Sequence, residues 1–309
     1  TACIHSKGLR MDSYIKSPMN YTGGKYKILN DIIPSFPSGI KNFVDLFAGG
    51  LNVGINVNAE TIYANDQISY IIDLYKLFQD TSTDDLVASI KARIEEYQLS
   101  QENQEGYLEL RKKYNETGEP LDLFVLTCYA FNHQIRFNSK HQFNTPFGKE
   151  RSSFNPNIES NLIRFCDALH KKNIILSTGD FLDFDFSLLS RGDLVYCDPP
   201  YLITTGSYND GKRGFKDWTL KEERELLALL DDLDRQGILF ALSNVFCHKG
   251  LTNDVLIEWS KKYYVTHIEK SYTNCSYHFK DRAARTMEVL VTNYKWEETR
   301  CEQLSLIPE

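Results

Sequence analysis

Several signatures are missing from these 309 residues, and each absence narrows the reading. No apolar run approaches the roughly 18 residues that a membrane-spanning helix needs. The opening residues, TACIHSKGLRMDSY, carry no hydrophobic stretch of the kind that makes a secretory signal, so a cytoplasmic protein is expected. The sequence does not start with Met; Met11 and Met19 are candidate natural starts, and the residues before Met11 read as an upstream extension. Seven cysteines, an odd number, include no C-x-x-C pair, which disfavours zinc and disulfide frameworks and suits a reducing compartment. Seven histidines show no H-E-x-x-H pattern, so no metal site is expected. Neither G-x-G-x-x-G nor G-x-x-x-x-G-K-[ST] occurs, which weakens nicotinamide and P-loop readings. The net charge of −7 argues against nonspecific coating of nucleic acid, which is driven by phosphate neutralisation.

What is present is ordinary for a globular protein: 42% hydrophobic and 25% charged residues, enough chain for one large domain or two moderate ones. Two stretches run against the acidic balance. Residues 131–151, FNHQIRFNSKHQFNTPFGKER, hold Arg136, Lys140, Lys149 and Arg151 against Glu150 alone. Residues 270–285, KSYTNCSYHFKDRAAR, hold Lys270, Lys280, Arg282 and Arg285 against Asp281 alone. Both interleave aromatics and amides with cations, as nucleic-acid surfaces often do; two solvated loops would look the same by charge.

NFVDLFAGG (42–50) predicts a strand and a glycine turn, LNVGINVN a helix start, TIYANDQ a second strand ending at Asp66, and ISYIIDLYKLFQ a helix. Two amphipathic helices follow within 82–116, then a buried helix in LDLFVLTCYAF, a polar basic loop, and another amphipathic helix in NIESNLIRFCDALHKK. Strand signals return at 174–178, 194–197, 237–243, 263–268 and 287–293, with a charged helix in TLKEERELLALLDDLDR. This rhythm predicts an α/β fold: one sheet with helices on its faces, interrupted by a mostly helical insertion. The boundaries are 18–79 and 169–296 for the sheet domain and 80–168 for the insertion, with 1–17 and 297–309 as tails.

Three constellations carry chemistry. In DLFAGG the glycines let backbone approach a ligand at the sheet's C-terminal edge, and Asp66, 21 positions after Asp45, suits an acid that bonds ribose hydroxyls. NYTGGK, Asn20 to Lys25, pairs glycines with a lysine that could hold a carboxylate or phosphate; taken alone, a surface turn explains it better. At the end of the apolar run Leu194-Val195-Tyr196 stands Asp198-Pro199-Pro200-Tyr201. Each proline ring locks φ and removes an N–H, so one carboxylate and one carbonyl can converge as two fixed acceptors. Two acceptors suit an exocyclic amino group with its two N–H donors, and Tyr201 offers a flat face for a planar base.

Taken in order, TGGK, DLFAGG, AND, a helical insertion and DPPY resemble the Dam-type, α-class DNA adenine methyltransferases, over about residues 18–295. The match is most similar to the T-even phage members, through FVDLFAGGLNVGINVN, IRFNSKHQFNTPFGK, DPPYLIT, SNV and EWSKKY. The resemblance implies a Rossmann-like class I methyltransferase sheet with an inserted target-recognition domain. It implies transfer of a methyl group from S-adenosyl-L-methionine to the 6-amino group of adenine in double-stranded DNA, at GATC or a related site, after base flipping. By motif position, Tyr21, Lys25, Phe47, Ala48, Gly49, Gly50, Asp66, Asp180, Phe181 and Asp198 would bind the cofactor. Asp198, Pro199, Pro200 and Tyr201 would form the catalytic cradle, and Tyr208 would close over it. Phe131, Asn132, Gln134, Arg136, Asn138, Lys140, Pro146 and Arg151 would meet DNA, although Glu150 stands where the phage enzymes place a recognition arginine directly. The KDRAAR segment is a further candidate for phosphate contact. A cognate restriction endonuclease is an implied partner, no membrane is, and a monomer or weak dimer is expected. A cytosine 4-amino methyltransferase, a catalytically idle DNA-binding relative, a protein-glutamine methylase and, more distantly, a nicotinamide oxidoreductase remain alternatives.

Overall fold

Alternate residues of an apolar strand face opposite sides of a sheet, and Leu194–Cys197 uses both. Leu194 and Tyr196 enter one hydrophobic core, Val195 and Cys197 another. A strand buried on both faces needs helices above and below it, as in a parallel sheet. The computed structural model describes residues 14–21, 23–204, 218–268 and 286–296 and has this architecture.

In chain order the elements are α1 (Leu29–Ile32), β1 (Ile40–Asp45), β2 (Ala59–Asp66), α2 (Ser69–Asp80), α3 (Thr83–Glu96), α4 (Gln104–Thr117), α5 (Pro120–Tyr129) and α6 (Pro156–Lys171), then β3 (Ile174–Thr178), β4 (Leu194–Cys197), α7 (Leu220–Gln236), β5 (Leu239–His248), β6 (Leu251–Thr252), α8 (Asp254–Ser260), β7 (Tyr264–Ile268) and β8 (Met287–Thr292). The sheet order is β3-β2-β1-β4-β5-β8-β7, with β6 paired to β5. Neighbours from β3 through β5 are parallel, and β8 runs antiparallel between β5 and β7. This is the Rossmann-like arrangement expected. On one face, α2, α5 and α6 bury Tyr75, Phe78, Phe124 and Phe165 in a core continuous with Phe43 and Ile62 of the sheet. On the other, α7 and α8 bury Leu226, Leu230 and Leu256 against Val44, Val195 and Phe240.

Two segments differ from expectation. LNVGINVN does not start a helix; only Gly54–Asn56 makes a single 3₁₀ turn. Its asparagines instead hold the N-terminal strap, residues 14–21. Asn52 Oδ1 accepts from Ser17 N at 3.0 Å and Asn56 Oδ1 from Ile15 N at 2.7 Å. Asparagine prefers such backbone bonds to helix interior, and two β-branched valines and a glycine add little helix propensity. The polar stretch after α5 is an irregular hairpin, with bridges at Ala130↔Phe147 and Phe137↔Phe143. The Phe137 and Phe143 rings pack 5.7 Å apart and are fully buried, which anchors an otherwise polar loop.

Candidate active site

The chain leaves β1 toward β2 and returns on β1's other side as β4, so the C-terminal ends of β1 and β4 frame a crevice at a topological switch point. Asp45 ends β1, Asp66 ends β2, and Asp198-Pro199-Pro200 follows β4. The cleft between them is lined by all three acids, both prolines, the Phe47–Gly50 turn, Tyr21 and Lys25.

The turn after β1 is held from several sides. Leu46 N donates to Tyr196 O at 3.0 Å and Ala48 N to Asn65 O at 2.8 Å. Gly49 takes φ +44°, donates its N–H to Asp66 Oδ2 at 2.7 Å, and accepts the Tyr75 hydroxyl on its carbonyl at 2.8 Å. A Cβ on Gly49 would lie 2.8 Å from the Tyr21 ring. The glycine therefore admits Tyr21, and the strap that Asn52 and Asn56 hold becomes one wall of the cleft.

Asp66 also accepts from Ile68 N at 2.9 Å, so each carboxylate oxygen already has one backbone donor. Each keeps a further lone pair for a ligand hydroxyl. Burial pushes its carboxyl up to about 6 against the pull of these two N–H groups. Asp45 was passed over in the sequence except as a marker of spacing. It is buried, lines the cleft, and accepts from Gly54 N at 2.9 Å. Burial pushes it up to about 7, with the nearby Asp198 and Asp66 charges adding to the rise. An acid inside the apolar run NFVDLF was the available signal, because an apolar strand has no packing need for a carboxylate.

Asp198 meets Lys25, whose Nζ lies 2.6 Å from its Oδ2. The Tyr201 hydroxyl donates to Asp198 Oδ1 at 3.2 Å. Lys25 is buried, donates to Gly23 O at 3.0 Å, and sits 5.1 Å from the Tyr201 ring centroid. Burial raises the Asp198 carboxyl above its ordinary value, and the Lys25 ammonium offsets only part of that rise. Asp198 is thus an acceptor that already grips an amino nitrogen, beside an aromatic ring.

The remaining cofactor candidates lie just outside. Gly179 N donates to Asp66 O at 3.1 Å, which ties the GDF turn to the end of β2. Asp180 Oδ1 accepts from Leu182 N at 3.1 Å. Phe181 is buried and its ring lies 5.5 Å from that of Phe47, backing the cleft wall from behind. Tyr208 and the KDRAAR segment fall outside the described residues.

The hairpin sorts the DNA candidates. One stripe of α4 grips its returning strand: Tyr107 Oη donates to Thr145 O at 2.9 Å, and Asn115 exchanges bonds with Phe143. Arg136 donates from Nε and Nη2 to Asn144, each at 3.0 Å, so two of its donors clamp the hairpin across itself. Asn138 Oδ1 accepts from Lys140 N and Gln142 N and shapes the tip, where Lys140 is exposed. Gln134 gives its carbonyl to Thr145 and leaves its side chain exposed, as does Pro146. At the hairpin's base the exposed Phe131 carries the Arg151 guanidinium 5.1 Å over its ring. Asn132, at φ +55°, gives its carbonyl to Asn20 Nδ2 at 2.9 Å. That bond joins the hairpin directly to the strap bearing Tyr21.

The model of the D12 class N6 adenine-specific DNA methyltransferases matches residues 21–274, from the strap through DPPY and beyond. The chain belongs to that family. Among its relatives, the type II methyltransferase M.FokI of Planomicrobium okeanokoites is 53% identical over 285 residues, 92% of this chain and 44% of the relative. The modification methylase StsI of Streptococcus sanguinis is 47% identical over 284 residues, 91% of this chain and 43% of its own. The DNA adenine methylase of Escherichia coli (strain K12) is 26% identical over 230 residues, 73% of this chain and 79% of the relative. This D12 chain therefore spans under half the length of the first two. The nearness to T-even phage enzymes suggested by its motifs is not shown by these identities, which are higher for type II modification methylases than for DNA adenine methylases.

Proposed function

We propose that this chain transfers a methyl group from S-adenosyl-L-methionine to the 6-amino group of a flipped adenine in duplex DNA. The observation that carries the reading is Asp198, a strand-end carboxylate beside two prolines, which holds the amino nitrogen of Lys25 next to the Tyr201 ring. An adenine amine presents the same kind of donor.

The cleft fits the cofactor by its donor set. Asp66 offers lone pairs to ribose hydroxyls, and Phe47, backed by Phe181, offers an aromatic wall to a purine. Asp45 supplies a buried carboxylate that gains from a cationic partner. Tyr21, Lys25 and the Ala48-Gly49-Gly50 backbone complete the lining. When bound, S-adenosyl-L-methionine supplies an activated methyl group.

The protein's own part is to bind, orient and hold charge. The base must leave the stack, because its amine is engaged inside the duplex. Lys25 yields the Asp198 carboxylate to the incoming amine. Asp198 and the Pro199 carbonyl then take the two N–H donors, leaving the nitrogen lone pair directed away from both. Positive charge that develops on nitrogen lies beside a carboxylate already in place, which lowers the barrier without reorganisation. Tyr201 stacks on the base and fixes its plane.

The hairpin, with Phe131, Gln134 and Arg151 exposed, is the segment we assign to base reading, within a recognition domain of residues 80–168. The target is an adenine in GATC or a related site. We place the protein in the cytoplasm as a monomer or weak dimer. A cognate restriction endonuclease is its expected partner, which the name modification methylase carried by a relative supports. Among the described residues no helix is long and apolar enough to cross a membrane.

The test is to incubate the chain with S-adenosyl-L-methionine and unmethylated genomic DNA, then map modified bases at single-nucleotide resolution. N6-methyladenine at one short motif is the expected result. Methylation on cytosine, or none while the cofactor still binds, overturns the reading.

A further inference from the structure

Glu223, on the first turn of α7, is fully buried, and among the described residues its side-chain hydrogen-bond partners are three neutral N–H groups. Oε2 accepts from Trp218 Nε1 at 2.7 Å; Oε1 accepts from Asn253 Nδ2 at 2.7 Å and from Asn244 Nδ2 at 3.4 Å. A carboxylate taken out of water without a cation costs several kcal/mol, so its presence needs a reason. Helix capping is not that reason. Thr219 and Glu222 already form a complete capping box at this N-terminus.

One arm of the network leads to the cleft. Trp218 stands edge-on to Phe47, with centroids 5.7 Å apart, and 5.6 Å from Phe181. Phe47 lines the cleft, so the indole braces that wall from behind. The other arm ties Glu223 to Asn244 on β5 and to Asn253 before α8, which fixes the carboxyl in place. An indole could rotate within an apolar pocket without losing buried area; a charged acceptor on its N–H fixes one orientation, because bonds to ionised groups are about twice as strong as neutral ones.

We propose that Glu223 is a positioning residue for the cofactor, fixing Trp218 and through it the Phe47 wall that receives the planar part of S-adenosyl-L-methionine. The inference rests on the proposed function.

The test titrates S-adenosyl-L-methionine into the full chain and its variants by calorimetry, and measures DNA affinity and the separate KM and kcat values. Glu223→Gln keeps the volume but replaces one acceptor oxygen by a donor. We expect cofactor affinity to fall about 10-fold, as for loss of a charge-assisted bond. DNA affinity stays within about twofold of the parent, and kcat at saturating cofactor stays within about threefold. Trp218→Phe removes the indole N–H and keeps an aromatic ring. It gives the same cofactor loss, and stands as the test if Glu223→Gln does not fold. The double variant loses no more than either single one, since both break one bond. Unchanged cofactor affinity in both variants, additive losses, or an equal loss of DNA affinity overturns the role. Failure of the unsubstituted chain to bind S-adenosyl-L-methionine overturns the proposed function instead.

Discussion

Lys25 and Asp198 lie 173 positions apart and meet as an ion pair between a buried lysine and a half-buried carboxylate, 2.6 Å between Nζ and Oδ2. The lysine lowers the Asp198 carboxyl against the raising effect of burial. Removing the cation in Lys25→Met frees that rise. If Asp198 must be an anion to accept the amine, the acidic limb of kcat/KM moves to higher pH. Rate profiles from pH 5 to 9 check this; an unmoved limb means Asp198 is not the titrating acceptor. Asp198→Ala should abolish transfer outright.

Tyr201 touches the reacting site from a second direction, its hydroxyl on Asp198 and its ring near the Lys25 ammonium. Stacking on a single base is worth about 1–3 kcal/mol. Tyr201→Ala should therefore lower kcat/KM for DNA by roughly 10- to 100-fold. Affinity for S-adenosyl-L-methionine should stay nearly constant. A selective loss of cofactor binding would place the ring in the wrong subsite.

Asp66 gives a pH prediction with a definite sign. Its carboxyl stands at about 6 in the folded chain because of burial, above the roughly 3.9 of an unfolded aspartate. The native state then binds more protons between those values. Its contribution to stability is fully present below about pH 4 and is lost as the pH rises through about 6. Under the proposed function cofactor binding should have the opposite trend, because ribose hydroxyls would donate to the anion. Affinity for S-adenosyl-L-methionine should rise as the pH passes 6 and then level off. Calorimetry on the parent and on Asp66→Asn tests this; a slope of equal size in the variant would assign it to another group.

Gly49 has no room for a side chain. Alanine there would place Cβ 2.8 Å from the Tyr21 ring at a φ of +44°. Left-handed strain on a non-glycine residue costs about 1–3 kcal/mol, and displacement of Tyr21 opens one wall of the cleft. Gly49→Ala should lower both the melting temperature and cofactor affinity. A melting curve and a calorimetric titration suffice, and retained affinity would show that the Tyr21 wall is dispensable.

Arg136 and Arg151 should part company on mutation. Arg136 is committed to Asn144, whereas Arg151 lies stacked on the exposed Phe131 ring. Arg151→Ala should relax selectivity at one base pair by about 1–3 kcal/mol. Arg136→Ala should loosen the hairpin and weaken binding to all sites alike, with faster proteolysis between residues 131 and 151. Methylation rates on a library of single-base site variants separate the two outcomes.

Much of this was legible before any coordinates. Strands at 174–178 and 194–197 were read to the residue, because apolar β-branched runs bounded by polar turns have few other uses. DLFAGG, AND and DPPY pointed to one sheet edge because strand-end acids followed by glycine or proline place backbone and carboxylate at a ligand. The helix expected in LNVGINVN is absent, and a hairpin stands within 131–151 where the sequence predicts a loop. In both, distant partners decide: the strap for Asn52 and Asn56, and the stripe of α4 for the hairpin. Local periodicity carries no trace of such contacts.

The sequence by itself determined the α/β class, most element positions and the order of motifs that the family shares. These follow from side-chain periodicity and backbone stereochemistry, which are local. Only the tertiary structure decided that Lys25 pairs with Asp198, that Gly49 makes room for Tyr21, that Asp45 belongs to the cleft, and that the buried Glu223 meets Trp218 behind Phe47. Each joins elements far apart in the chain. Their meeting depends on strand order and on helices packing to exclude water, and no spacing of residues encodes that distance.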